Sequence, residues 1–238
     1  MISAASLPSA AAGVLVIDPG HGGSANSGSN EVRTLSSCNN AISPGGLKEK
    51  DLTLELSLEI KRQIEQLAAS DKELELACIL TRDGDENPDF ASRADVCANL
   101  PEPPLAIVSI HFNASKGARS IGTVAMVEHP DRNPNYEKDV QLANELTKVV
   151  SDEVAAFLVG SRPREPITDE HLHKGKGSNF FYQLRLRPKT SGVPKCFLEV
   201  EFIDRPDTEE RLLYRRKEAF PKIARAIALW FKDYSRRL

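Results

Sequence analysis

The sequence has no excess of either charge and no long apolar run. Its 238 residues include 31 Lys and Arg against 34 Asp and Glu, which gives a formal net charge of −3. A chain with this balance has no excess of the basic residues with which proteins bind nucleic acid or an anionic membrane. No stretch approaches the roughly 18 apolar residues of a membrane-spanning helix. We therefore expect a globular protein with no nucleic-acid partner and no membrane span.

Cysteine is scarce, and its spacing excludes two further classes of protein. The four cysteines, at positions 38, 78, 97 and 196, form no C-x-x-C pair. This spacing argues against a zinc ribbon and against a dense disulfide framework. Cys78 and Cys196 lie inside apolar runs, so both are predicted to be small buried side chains.

The first residues do not show the pattern of a secretory signal peptide. The stretch from Met1 to Gly13 is rich in Ala and Ser but has neither a positive n-region nor an apolar h-region. We expect residues 1–12 to be a disordered N-terminal extension and residues 13–238 to form one domain.

Short apolar runs alternate with amphipathic helical patterns through the rest of the chain. Strands are predicted at 14–17, 74–80, 105–110, 122–127 and 196–203, and helices beginning near Leu47 and at 89–99, 140–159 and 208–238, the last interrupted near Pro221. This alternation predicts a single α/β domain built on a mostly parallel sheet. The segments 24–46 and 160–195 show no regular period, and the first is predicted to be a loop.

Two of the predicted strands lead into a histidine. The run 14–17 continues as Asp-Pro-Gly-His21, and the run 105–110 is followed by His111. The carboxyl ends of parallel strands meet at one edge of the sheet, where α/β proteins bind ligands, so the two side chains can converge. Glu49 opens the helix after His21, and two His with one Glu form the donor set of catalytic zinc sites. The alternatives are that His21 only hydrogen-bonds within its loop and that Glu49 only interacts with the helix dipole.

Zinc hydrolysis also requires a proton carrier that is not bound to the metal. Glu199, within the apolar run 196–203, is the candidate for this role. Glu201 lies two residues further along the same strand, so its side chain is expected to point the same way and to compete for the role. The alternative is that this strand lies at the edge of the sheet, where either carboxylate could face solvent and have no catalytic role.

Five blocks in this order resemble the catalytic domain of the zinc-dependent N-acetylmuramoyl-L-alanine amidases, the family that includes the bacterial cell-separation amidases. The blocks are DPGHGG at 18–23, EKD at 49–51, LTR at 80–82 with Arg93 and AN at 98–99, SIHFNA at 109–114, and LEVEF at 198–202. Two positions depart from the family pattern, because the family usually has Asn where Asp204 stands and a small residue where Glu201 stands.

The resemblance implies a twisted sheet flanked by helices and makes residues 13–238 a zinc amidase catalytic domain. One Zn²⁺ ion would be held by His21, Glu49 and His111, and Glu199 would be the catalytic glutamate, since its spacing to Phe202 matches the family. The reaction implied is hydrolysis of the amide between N-acetylmuramic acid and L-alanine in peptidoglycan or in muropeptides derived from it. The alternatives are a zinc peptidase or deacetylase on a related cell-wall substrate and an inactive peptidoglycan-binding module.

The resemblance also carries expectations about partners and supporting residues. In some relatives an inserted helix covers the zinc until an activator protein removes it, and 24–46 and 160–195 are the segments that could do so here. The substrate implies a location in the cell envelope, periplasmic or extracellular. We expect Arg82 and Arg93 to fix loops or helix ends through ion pairs, and Asn113 to support the site through hydrogen bonds. His171 and His173 have the spacing of a second metal site, but such a Gly- and Lys-rich loop is more typical of solvent-exposed histidines.

Overall fold

The structure of this chain is a computed structural model. It describes residues 13–24, 34–71, 74–115, 117 and 119–237, without the side chains of residues 173 and 174. The N-terminal extension predicted for 1–12 lies outside the described residues, as does much of the loop predicted for 24–46.

Six strands and seven α-helices follow one another along the described residues. The strands are β1 (Gly13–Pro19), β2 (Leu76–Leu80), β3 (Ala106–Asn113), β4 (Val124–Val127), β5 (Ile167–Thr168) and β6 (Lys195–Phe202). The helices are α1 (Glu49–Ser70), α2 (Phe90–Ala98), α3 (Tyr136–Ala155), α4 (Asn179–Arg185), α5 (Pro188–Ser191), α6 (Pro206–Thr208) and α7 (Arg216–Ser235), with a 3-10 helix at Asp169–Gly175 and a π-helical turn at Glu209–Leu213. Of these helices, none is long and apolar enough to cross a membrane.

The six strands form one sheet in the order β2-β1-β3-β6-β4-β5. All neighbouring pairs are parallel except β4 and β6, which are antiparallel. From β1 the chain crosses outward to β2 and then returns to β3 on the other side of β1. The gap between β1 and β3 is therefore a topological switch point, where open α/β sheets bind ligands. The predicted single α/β domain with a mostly parallel sheet is confirmed.

Alternate residues of the central strands face two separate cores. Leu15 and Ile17 lie in the larger core, which is covered by α1, α3 and α7. Val14 and Val16 lie in the smaller core, which is covered by α2 and α4. A parallel sheet needs cover on both faces, which explains why β1 is apolar throughout. Cys78 and Cys196 are buried as predicted, and both belong to the larger core.

Two regions differ from the sequence prediction. The irregular segment 160–195 contains β5, the 3-10 helix, α4 and α5, which are too short to produce a recognisable period. The C-terminal helix is interrupted at Tyr214 and Arg215 rather than at Pro221, which lies inside α7. Proline lacks an N–H and so removes one bond from the helical ladder. That loss is small beside the packing of α7, whose buried face contacts α1 and α3.

Candidate metal centre and active site

His21 follows β1 in a tight turn. Its φ of +61° lies in the left-handed region that residues other than glycine rarely adopt. The ring is held from both sides, because Nδ1 lies 2.9 Å from the Ser37 carbonyl oxygen and Nε2 lies 3.2 Å from Oε1 of Glu49. The turn therefore directs His21 towards the first residue of α1.

Glu49 begins α1, but its role is more than a favourable interaction with the helix dipole. Its side chain is only 1% exposed. Oε1 accepts a hydrogen bond of 3.1 Å from the Phe112 backbone N–H, and Oε2 accepts one of 3.0 Å from the Ala41 N–H. These bonds anchor the carboxylate between the loop before α1 and strand β3, with Oε1 facing the histidines.

His111 completes the group from β3. Its Nδ1 lies 3.1 Å from Oε1 of Glu49, and its ring is nearly perpendicular to that of His21, with the ring centroids 4.9 Å apart. One donor atom from each of the three side chains lies within 4.8 Å of the others. Two imidazole nitrogens and a carboxylate oxygen meeting at one point fit the ligand set of a zinc site with an open position. The predicted convergence of His21, Glu49 and His111 is confirmed.

The group is electrostatically coupled. Burial acts to raise the pKa of Glu49, but the charge of His21 and hydrogen bonds from both histidines hold that pKa well below its usual range. Burial acts to lower the pKa of His111, but the hydrogen bond to Glu49 and the charge of Glu199 raise it overall. Because a proton and a metal ion need the same imidazole nitrogen, we expect acid to weaken metal binding here.

Glu199 lies beside this group on β6, opposite His111 in the β3–β6 ladder. Its Oε2 is buried and has no hydrogen-bond partner among the described residues. Burial, with a further contribution from the charge of Glu49 and an opposing one from His111, raises the pKa of Glu199 to about 7. A carboxyl group of this kind can take up and release a proton near neutral pH.

Glu201 is fully engaged elsewhere. It is completely buried and accepts hydrogen bonds of 2.8 Å from Gly122 N, 2.9 Å from Phe202 N and 2.6 Å from Ser161 Oγ. The β3–β6 register shifts beyond Glu199, since the next paired residue on β6 is Phe202. A shift of this kind interrupts simple alternation, which is why the two-residue spacing did not predict the difference. Glu201 anchors the entry to β4, whereas Glu199 faces the histidines.

A cavity of about 300 Å³ opens in front of the metal group and includes Glu199. Phe180 and Phe197 supply apolar walls, and Ser37 and Leu172 supply walls from the two irregular segments. A larger cavity, of about 590 Å³, is lined by residues such as Leu105, which precedes β3. It lies at the amino ends of β3 and β6 and shares no residue with the metal group, so the smaller cavity is the candidate active site.

Arg82 and Arg93 hold the turn that carries His21. Arg93 forms an ion pair of 2.8 Å with Asp18 and donates a 2.8 Å hydrogen bond to the His21 carbonyl. Arg82 donates to backbone carbonyls, including that of Gly20 at 2.9 Å. Both side chains are almost fully buried. The prediction that they fix loops is confirmed, although Arg82 acts through carbonyl groups rather than an ion pair.

The role predicted for Asn113 finds no support in the described contacts. The side chain of Asn113 accepts a hydrogen bond from the Ala114 N–H, and none of its described bonds reaches the metal group. His171 is solvent-exposed, as its Gly- and Lys-rich loop predicts, and its Nδ1 lies 3.2 Å from the Thr168 carbonyl oxygen; the side chain of His173 lies outside the described residues.

Asp18 and Ser109 have no role predicted from the sequence, yet both are buried beside the site. Burial acts to raise the pKa of Asp18, but the charge of Arg93 and hydrogen bonds from Ser109 and Thr81 hold it below its usual range. The available signal was a polar residue inside each of two otherwise apolar strands. Such a residue must find partners within the core.

Comparison with known proteins gives a family. The family model described as N-acetylmuramoyl-L-alanine amidase matches residues 15–229. The N-acetylmuramoyl-L-alanine amidase AmiC of Neisseria meningitidis serogroup B is 27% identical over 222 residues, which are 84% of this chain and 47% of that protein. The chain thus spans about half the length of this curated relative.

Solved structures share the fold. The N-acetylmuramoyl-L-alanine amidase AmiC2 of Nostoc punctiforme is 22% identical with a TM-score of 0.62, covering 94% of this chain and 98% of that one. The CwlD amidase from Clostridioides difficile, solved in complex with the GerS lipoprotein, is 19% identical with a TM-score of 0.63, covering 95% and 100%. The family match covers most of the chain and includes His21, Glu49, His111 and Glu199, and we conclude that the chain belongs to the N-acetylmuramoyl-L-alanine amidase family.

Proposed function

We propose that this chain is a zinc-dependent amidase that hydrolyses the bond between N-acetylmuramic acid and L-alanine in peptidoglycan. The observation that carries the proposal is one cavity lined by both histidines of the His-Glu-His donor group and by Glu199, whose Oε2 has no hydrogen-bond partner among the described residues. Family membership supports this amide over others, because the donor group alone would serve a zinc peptidase or deacetylase equally well.

In this proposal the residues divide into ligands and a proton carrier. His21, Glu49 and His111 hold one zinc ion, which when bound polarises the scissile carbonyl and stabilises negative charge on its oxygen. Glu199 accepts a proton from the attacking water and then donates it to the amine of the departing L-alanine. The raised pKa of Glu199, about 7, suits a group that must perform both transfers.

The test measures zinc content and muropeptide release on the unmodified protein, Glu199→Gln and Glu201→Gln. We expect about one zinc per chain in all three. Loss of the proton carrier should slow release of stem peptide by about 10²- to 10⁴-fold in Glu199→Gln. Glu201→Gln should retain most of the activity, because Glu201 bonds to the backbone rather than facing the cavity.

Product identity separates the alternatives. Mass spectrometry should find intact stem peptides with a free L-alanine amine and sugars with a free lactyl carboxylate. Shortened stem peptides would indicate a peptidase, and deacetylated sugars a deacetylase. Zinc binding without any release, together with retention on peptidoglycan, would indicate an inactive binding module. Full activity in Glu199→Gln would refute the role of Glu199.

The proposal extends to location and to a protein activator. Peptidoglycan places the activity in the cell envelope, periplasmic or extracellular. Leu172 and Ser178 belong to the segment 160–195 and line the cavity, so a partner that binds this segment could alter access. The related CwlD amidase was solved together with a lipoprotein. Envelope protein from the native host should therefore increase release by the unmodified protein, and no increase would remove the activator from the proposal.

A further inference from the structure

The imidazole of His111 contacts a different group through each nitrogen. Nδ1 faces Glu49 at 3.1 Å, and Nε2 lies 3.1 Å from the hydroxyl oxygen of Ser109. Only an unprotonated nitrogen can bind a metal ion. The position of the single proton on a neutral His111 ring therefore decides whether Nδ1 can act as a ligand.

The hydroxyl of Ser109 has its own proton directed away from His111. Ser109 Oγ donates a 2.5 Å hydrogen bond to Oδ2 of Asp18 and also lies 3.3 Å from the Asp18 carbonyl oxygen. Both of these oxygens can only accept, and a hydroxyl has one proton to give. Towards His111, Ser109 can therefore act only as an acceptor, so Nε2 must keep its proton when a metal ion takes the place of the proton on Nδ1.

Asp18 is fixed in this accepting role by two other donors. Arg93 Nη1 donates to its Oδ1 at 2.8 Å, and the hydroxyl of Thr81 donates to the same oxygen. Oδ2 is thereby left for Ser109. Both Asp18 and Arg93 are almost completely buried, at 3% and 1% exposure. The charge of Arg93 thus determines which groups donate and which accept in the series of hydrogen bonds that joins it through Asp18 and Ser109 to His111.

We propose that Asp18 and Ser109 are positioning residues for the metal centre, which hold a proton of His111 on Nε2 so that Nδ1, which donates to Glu49 in the metal-free protein, is the nitrogen that binds the metal ion. The inference rests on the zinc site of the proposed function. Partners of this kind behind a ligand histidine orient the ring and strengthen metal binding. His21 receives the equivalent restraint from the Ser37 carbonyl, which can only accept from Nδ1 and leaves Nε2 towards Glu49.

The plane of the His111 ring is restrained separately. A Cβ on Gly20 would collide with the ring, and the Phe197 ring lies on another side with its centroid 5.3 Å away. Removing the Ser109 hydroxyl should therefore remove the acceptor for Nε2 while leaving the ring in place. This makes Ser109→Ala a sharper test than any change at Asp18, which would leave the buried Arg93 unpaired.

The experiment measures zinc affinity by competition with a chelating indicator. We expect Ser109→Ala to weaken zinc binding by about 10- to 100-fold, the usual effect of removing such a partner. Ser109→Thr keeps the hydroxyl and should retain most of the affinity. Ser151→Ala is the matched control, because Ser151 is equally buried on α3 and its hydroxyl has no partner among the described residues. Its affinity should equal that of the unmodified protein.

A second readout does not depend on any variant. ¹⁵N NMR of the zinc-loaded, unmodified protein should show His111 protonated on Nε2 and bound to zinc through Nδ1. The reverse arrangement, with zinc on Nε2 and the proton on Nδ1, would overturn the inference, and so would equal zinc affinity in the unmodified protein and a folded Ser109→Ala variant. Failure of the unmodified protein to bind zinc would instead refute the proposed function, and the inference with it.

Discussion

At the scale of single residues, His21 combines a proposed ligand role with an unfavourable backbone conformation. Its φ of +61° is of a kind that costs about 1–2 kcal/mol for residues other than glycine. Such strain is found where surrounding contacts over-determine a functional residue. Here the restraints come from Ser37, Glu49 and Arg93.

The strain at His21 can be measured with two substitutions in the metal-free protein. His21→Gly should be more stable than His21→Ala by about 1 kcal/mol in urea unfolding, because glycine adopts a positive φ without penalty. At Lys148, an exposed position in α3, the order should reverse, with Ala more stable than Gly by about 1 kcal/mol. Equal stability of the two His21 variants would show that the turn is not strained.

The ion pair between Arg93 and Asp18 gives a second prediction at this scale. Arg93→Ala would leave Asp18 buried without its counter-charge, which typically costs about 3–5 kcal/mol. Lys148→Ala removes an exposed pair with Asp152 and should cost less than about 1 kcal/mol. Urea unfolding of both variants makes the comparison. A similar small loss in both would mean that the Arg93 pair does not stabilise the turn that carries His21.

At the scale of elements, α3 and α7 are joined by a polar contact at the far side of the larger core. Glu145 on α3 accepts hydrogen bonds of 2.8 Å from Trp230 Nε1 and 2.6 Å from Arg237 Nη2. The hydrogen bond from Arg237, supported by the one from Trp230, lowers the pKa of Glu145 to about 2.

This contact predicts a specific dependence of stability on pH. A carboxyl group with a lowered pKa in the folded state contributes stability above its unfolded value, which is 4.5, and loses that contribution as the pH falls towards about 2. Glu145→Gln removes the contribution. The free energy of unfolding of the unmodified protein should therefore fall more steeply over this range than that of the variant. Parallel curves would contradict the assigned cause.

Elements whose formation depends on their own residue pattern could be predicted, whereas elements whose formation depends on pairing with a neighbouring strand could not. The apolar run of β1 and the period of α1 are local properties that follow from burial. The two-residue strand β5 exists only because β4 pairs with it. The register shift on β6 likewise depends on β3, which is why the sequence could not separate Glu199 from Glu201. The interruption predicted near Pro221 is wrong, since packing of α7 compensates for one missing hydrogen bond.

At the scale of the whole molecule, the fold explains why distant residues form one site. His21 follows β1, and His111 lies near the end of the neighbouring strand β3, on the other side of the switch point. Helix α1 begins with Glu49 at the same edge of the sheet. The histidine pair and Glu49 could be predicted from strand ends and from the family resemblance. The Ser37 carbonyl and the Asp18–Ser109 pair could not, because their role depends on hydrogen-bond direction in the folded chain.

In the proposed function, hydrolysis depends on a metal centre formed by His21, Glu49 and His111. The most direct test is a titration of the metal-free protein with zinc while the release of stem peptide from purified peptidoglycan is followed. Activity should rise in proportion to bound zinc and reach its plateau at about one equivalent, and His111→Ala should neither bind zinc tightly nor release peptide. Activity that is complete before zinc is added, or zinc binding that survives in His111→Ala at full affinity, would contradict the account.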